Sequence, residues 1–84
     1  MERKVVKALI DAGAVKKVSC IANGGSFYIE IHTSNDKQLV TTSDKKIKTW
    51  RRLDAAAKWL RDLGVGKAQV ELGKWQPGQG AMEL

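Results

Sequence analysis

The chain has one cysteine, one histidine and one proline among its 84 residues, and these scarcities close off whole classes of protein. Cys20 has no second cysteine to pair with, so no internal disulfide framework supports the fold, and a reducing compartment suits it. A structural zinc site asks for four Cys or His ligands, and Cys20 and His32 are the whole supply. Nucleophilic or acid–base catalysis needs an activated group with a partner in hydrogen-bond reach. Strand alternation puts Cys20 on an inward face and His32 on an outward one, so the two do not make such a pair. Neither the phosphate-loop nor the dinucleotide-binding glycine signature occurs, and "GKWQPGQG" is glycine-rich but follows the last expected strand. The expectation is a protein that is not an enzyme and uses no cofactor or metal.

Long apolar runs are also missing. No stretch approaches the roughly 20 residues needed to span a bilayer. The opening "MERKVVKALIDAG" lacks the apolar core of a signal peptide. A cytoplasmic protein with no membrane partner is expected.

What the chain does have is charge in one place. The net charge is +6, and "KKIKTWRR", Lys45 to Arg52, holds five basic residues and no acid. The rest of the chain carries ten basic against nine acidic residues, so nearly the whole excess sits in this segment. A focused positive field attracts polyanions. At this length only one core can be enclosed, which makes residues 1–75 one domain, and Trp50, Trp59 and Trp75 can supply a large share of its burial.

Hydrophobic spacing outlines the fold. "ERKVVKALIDAG" reads as a helix with Val5, Val6, Leu9 and Ile10 on one side and Gly13 as its left-handed stop. "VKKVSCIA" reads as a strand with Val18, Cys20 and Ala22 on one face and Lys17, Ser19 and Ile21 on the other. Asn23-Gly24-Gly25 supplies a tight hairpin turn. "SFYIEIHT" alternates Phe27, Ile29 and Ile31 with Tyr28, Glu30 and His32, and "SNDK" offers the next turn. "QLVTTS" is a third strand, and "KKIKTW" either continues it past a bulge or runs as an extended arm. "RRLDAAAKWLRDLG" is a second helix with Asp54 as N-cap, Leu53, Ala56, Ala57, Leu60 and Leu63 as its stripe, and Gly64 as its stop. Lys58 and Asp62 sit four apart on its wet side. "KAQVEL" closes the sheet with Ala68, Val70 and Leu72 inward, and residues 76–84 read as a loose tail.

The resulting order is αβββαβ, an α+β two-layer sandwich with both helices on one face of a mainly antiparallel four-stranded sheet. "KALIDAGAVK" and "KWLRDLGVGK" echo one another, either because two glycine-capped helices look alike or because two helix-loop-strand units flank a central hairpin. The other sheet face, with Lys17, Ser19, Ile21, Tyr28, Glu30 and His32, is left uncovered.

Few side chains carry binding chemistry. His32 reads as an ordinary polar residue on a wet face. Tyr28 is a half-exposed tyrosine, with base stacking or a dimer contact as its alternatives. Trp50 lies three residues before Leu53, where an aromatic entering a helix packs over the first turn, while Trp59 and Trp75 read as packing or interface residues. Lys45, Lys46, Lys48, Arg51 and Arg52 remain. Lysines on an edge strand discourage aggregation, but a run without acids that ends in an Arg pair at the mouth of a helix favours phosphate binding. Lys17 and Tyr28 on the open face are added to that candidate set.

The run "KTWRRLDAAAKWLRDLGVGKAQVEL", preceded by "LIDAGAVKKVSCIANGGSFYIEI", resembles the small partition-associated proteins of the ParC family, which are distinct from the topoisomerase subunit of that name. The likeness covers about Leu9 to Trp75. It consists of a helix ending in "AGAV", a glycine-rich turn, an aromatic strand, then a basic residue, an aromatic, Leu-Asp, and a helix closing in Leu-Gly-Val. It implies a maintenance accessory of a plasmid or other mobile element, with no catalytic residues. Trp50, Leu53, Asp54, Leu60 and Gly64 match at positions that look structural, so the DNA expectation comes from charge. The expected partners are DNA, through its phosphate backbone with low sequence specificity, a second copy in a homodimer, and a partition or transfer protein. The alternative is a protein-interaction module with no nucleic-acid role.

Overall fold

The computed structural model describes residues 1–76; the expected tail, apart from Gln76, lies outside the described residues. Its elements are α1 (Arg3–Asp11), β1 (Lys17–Asn23), β2 (Ser26–His32), β3 (Lys37–Leu39), α2 (Leu53–Asp62) and β4 (Gln69–Glu71). This is the expected αβββαβ order in an α+β fold. The strands lie in the order β3-β2-β1-β4, with β1–β2 and β2–β3 antiparallel and β1–β4 parallel.

Each helix ends because a glycine takes a conformation that other residues resist. Gly13 has φ 70° and Gly64 φ 102°. Around them the same pair of bonds recurs: Gly13 N–H to Ile10 O and Ala14 N–H to Leu9 O, then Gly64 N–H to Arg61 O and Val65 N–H to Leu60 O, all 2.9 or 3.0 Å. The echo between the two segments is therefore at least a shared cap. The strands that follow the two caps, β1 and β4, are parallel neighbours.

The core is Val6, Val18, Cys20, Ile29, Ile31, Val40, Ala56, Leu60 and Leu63, with Leu53, Trp50 and Trp59 packed on its margin. Strict alternation in β2 buries Phe27, Ile29 and Ile31, as the period of a half-buried strand requires. Four expectations are corrected. Val5 is exposed, because one turn of α1 turns only Val6 fully into the core. Asp54 is not the N-cap: α2 starts at Leu53 after Arg52, and Asp54 lies in the first turn, where its charge favours the positive end of the helix. Ser19, placed on the wet face, is fully buried, since it is a small residue flanked by Glu30 on β2 and Gln69 on β4. Ala57, Ala68, Val70 and Leu72, expected inside, are exposed. Val70 lies opposite Cys20, so it does point to the helix side of the sheet. The core stops short of it, and β4 is left as an edge strand with every residue exposed.

Candidate functional site

The route from β3 to α2 decides where the basic residues stand. Leu39 pairs with Glu30, and Val40 N–H still donates to Ile29 O at 2.9 Å. The chain then leaves β2, turns back on itself and returns at Trp50, which exchanges both backbone bonds with Phe27 at 2.7 and 2.9 Å. The excursion is a small hairpin: Thr41 bridges Ile47, Lys48 N–H donates to Val40 O, and Thr42 N–H donates to Lys46 O. Its tip is Ser43-Asp44-Lys45, with Lys45 at φ 67°, the left-handed position of a three-residue hairpin loop. "KKIKTW" follows neither of the two paths left open: it is the return arm of a hairpin, bridged at Ile47 and rejoining the β2 edge at Trp50. Ser43-Asp44, a turn-forming pair, was the sequence signal for it.

Trp50 is the anchor of this segment. On the Phe27 side of the sheet it meets Trp59 edge to face, with ring centroids 5.3 Å apart, and Lys48 Nζ lies 5.2 Å from the Trp50 ring centre. An ammonium over an indole face is attracted by the ring quadrupole, so Lys48 is held on an aromatic stack that is itself fixed to the core. Lys45 and Lys46 project at the exposed hairpin tip, next to Asp44.

The N-terminal turn of α1 lies beside this hairpin. Met1 donates its nitrogen to Leu39 O and accepts from Thr41 N–H, both at 2.7 Å, which ties the start of the chain along β3. A groove of about 470 Å³ results, lined by Arg3, Lys4, Thr41, Thr42, Ser43 and Lys48 and reaching Trp59. Glu2 also lines it. Arg3 and Lys4 were absent from the sequence-based set; the bonds of Met1 to Leu39 and Thr41, with Val6 packed in the core, bring them to Lys48.

The remaining expected residues lie elsewhere. Arg51 and Arg52 stand at the hairpin end of the sheet, beside Gly25, Phe27, Leu53, Leu72 and Trp75. Arg52 is engaged, donating through Nε and Nη2 to the Asp54 carboxylate at 3.0 and 3.2 Å. These bonds hold the Asp54 carboxyl below its ordinary value and Arg52 above its own. Tyr28 and Lys17 belong to the sheet face turned away from Trp50, paired with Ile21 and His32. Lys17 joins Lys16 and Lys67 at the opposite end of the strands. The set thus divides into three groups.

Cys20 is buried and its thiol is pushed up by that burial, which disfavours the reactive thiolate. His32 Nε2 lies 3.0 Å from Glu30 Oε1 on the other face. Among the described residues no group of three or more His, Cys, Asp or Glu gathers that could hold a metal, and no helix is long and apolar enough to cross a membrane. No protein-family model, curated protein or solved structure matches the chain. The likeness to the ParC family therefore rests on the residues quoted above.

Proposed function

We propose that the chain is a small DNA-binding protein that grips the phosphate backbone through the edge built by the 41–48 hairpin and the start of α1. The setting suggested by its ParC-like residues is that of a plasmid or mobile-element accessory. The observation that carries the reading is the convergence of Arg3 and Lys4 with Lys48, Thr41, Thr42 and Ser43 on one groove, with Lys45 and Lys46 exposed on the same hairpin. Ammonium, guanidinium and hydroxyl groups are what phosphate oxygens accept bonds from, and such contacts position a protein without reading sequence. None of these five cations lies within 4 Å of a carboxylate among the described residues, whereas Lys7, Arg52 and Lys58 each have an acidic partner.

A titration with duplex and single-stranded DNA at several salt concentrations, with light scattering to read mass, tests this. If about five phosphates are neutralised, log affinity for duplex DNA falls with log salt at a slope of about −4 to −5. Arg3→Ala/Lys4→Ala and Lys45→Ala/Lys46→Ala should each make the slope shallower by about 2, although the two pairs are far apart in sequence. Arg52→Ala should change it little, because Arg52 stands in a different hollow from the groove. An unchanged slope in the Arg3/Lys4 variant would sink the proposed groove, and absence of binding at low salt would sink the reading.

The alternative, a protein-interaction module, is favoured by a separate observation: Val70, Leu72 and Trp75 are 41%, 48% and 41% exposed on one edge. Self-association through the open face has less to work with than its sequence suggests, since Ile21, Tyr28, Glu30 and His32 are already half-buried by one another and by their neighbours.

A further inference from the structure

We infer that the β4 edge is a docking site for an extended acidic segment of a partner protein, which adds to the sheet as a further strand and seats apolar side chains between β4 and α2. β4 pairs with β1 alone, and its outward backbone groups have no backbone partner among the described residues. On the helix side of this edge runs a groove of about 350 Å³, lined by Leu53, Ala57, Leu60, Val65, Ala68 and Val70. Leu53 also lines the next hollow, where Phe27, Leu72 and Trp75 continue the apolar surface, the Phe27 and Trp75 ring centres being 6.1 Å apart. An unpaired strand edge beside an apolar groove is the arrangement that strand addition uses, main-chain bonds giving affinity and alternate side chains giving choice.

Charge selects the occupant. Arg61 and Lys67 border the first hollow and Arg51 the second, and none of the three has a carboxylate within 4 Å among the described residues. A second copy would bring the same cations against themselves on a chain already at +6. An acidic segment meets them with opposite charge. Glu71 pairs in register with Ile21, on the face away from the helices, so the carboxylates of the segment belong at its two ends, by Lys67 and by Arg51.

The test uses a fluorescent peptide with isoleucine and valine at alternate central positions, threonine between them and aspartates at both ends. Its matched controls carry terminal lysines instead, or N-methylated backbone amides that cannot pair with a strand edge. Fluorescence polarisation should show saturable binding of the aspartate peptide, with both controls at least about tenfold weaker. Arg61→Glu/Lys67→Glu, which leaves the core untouched, should lose about tenfold in affinity and prefer the lysine peptide. Equal binding of the aspartate and lysine peptides would overturn the proposal, as would full binding of the N-methylated one. So would a two-chain mass that falls to one chain on Leu72→Lys, since a second copy would then own the edge. Loss of duplex-DNA affinity as large as the loss of peptide affinity in the double variant would assign the rim to nucleic acid instead. The DNA-binding reading stands or falls separately, on Arg3, Lys4, Lys45 and Lys46.

Discussion

The two edges of the sheet are finished in opposite ways. At the β3 edge the chain closes over itself: Met1 bonds to Leu39 and Thr41, the 41–48 hairpin folds out and back, and Trp50 seals the edge of β2 at Phe27. At the β4 edge none of the described residues closes over Gln69–Glu71, and apolar Val70, Leu72 and Trp75 are exposed there beside Gln69 and Glu71. The closed edge presents cations and hydroxyls, and the bare edge presents Val70, Leu72 and Trp75. A strand with free backbone groups is a liability that folded proteins cover, charge or use. Here one edge is covered and charged, and the other keeps both its free backbone and its apolar side chains, which suits a partner that supplies backbone as well as side chains.

The largest effect should separate a leucine of the core from one at the bare edge. Leu63 is fully buried among Val6, Ile31 and Leu60, so Leu63→Ala should cost about 2–5 kcal/mol in urea unfolding, the range for a buried leucine that leaves a cavity. Leu72 is half exposed and outside that cluster, and Leu72→Ala should cost under about 1 kcal/mol. Equal losses would mean that the core extends over β4 and that its edge is not bare.

Much of this contrast lies beyond what a sequence can express. Alternation in "SFYIEIHT" was enough to place Phe27, Ile29 and Ile31 inside, because β2 has neighbours on both sides and helices over one face. The two glycine stops were equally legible, since the need for positive φ is local. For Val70 the same alternation gave the right direction and the wrong burial. Period tells where a side chain points, while burial depends on what arrives above it, and the core beneath α2 ends before β4. Ser19 failed in the opposite sense, a small residue overshadowed by larger ones whose register the pattern does not contain. Of the candidate site, Lys45, Lys46 and Lys48 were readable as a charge run. Arg3 and Lys4 join them through the backbone bonds of Met1 to Leu39 and Thr41 and the packing of Val6, and Arg51, Lys17 and Tyr28 are separated from them by sheet geometry. The resemblance to the ParC family pointed to no binding residue, so it could not have repaired that set.

A smaller effect should distinguish the tryptophans of the two edges. Trp50 packs on the core and on Trp59 and carries Lys48 above its ring. Because it is half-buried, Trp50→Ala should cost roughly 2 kcal/mol, less than the loss for a fully buried tryptophan. It should also weaken DNA binding beyond any loss of folded protein, by freeing Lys48. Trp75 meets Phe27 from an exposed position, and Trp75→Ala should cost under about 1 kcal/mol and leave DNA affinity unchanged. A larger stability loss at Trp75 than at Trp50 would reverse the assignment of which edge is closed.

The smallest effect is a pH dependence at the turn into β3, on the closed edge. The turn into β3 is held by Asp36, whose carboxylate accepts from Gln38 Nε2 at 2.9 Å and from Lys37 N–H at 2.7 Å, while Thr33 N–H donates to its backbone oxygen at 2.8 Å. The side-chain bond from Gln38, then the backbone bond from Lys37, holds this carboxyl below its ordinary value. A group whose pKa is depressed by folding stabilises the fold fully above its unfolded value, about 3.9 for aspartate. That contribution is lost as pH falls through the depressed folded value. Asp36 is fully exposed, so the contribution is small and screened by salt. Hydrogen exchange followed by NMR should therefore show Thr33 and Lys37 losing protection on acidification below about pH 4, while the amides that join β1 to β4 keep theirs until the domain unfolds. Asp36→Asn should abolish the acid dependence at the turn and leave protection between β1 and β4 as it was. If both edges lose protection together in the parent, the turn is not an independent unit and its titration reports global unfolding.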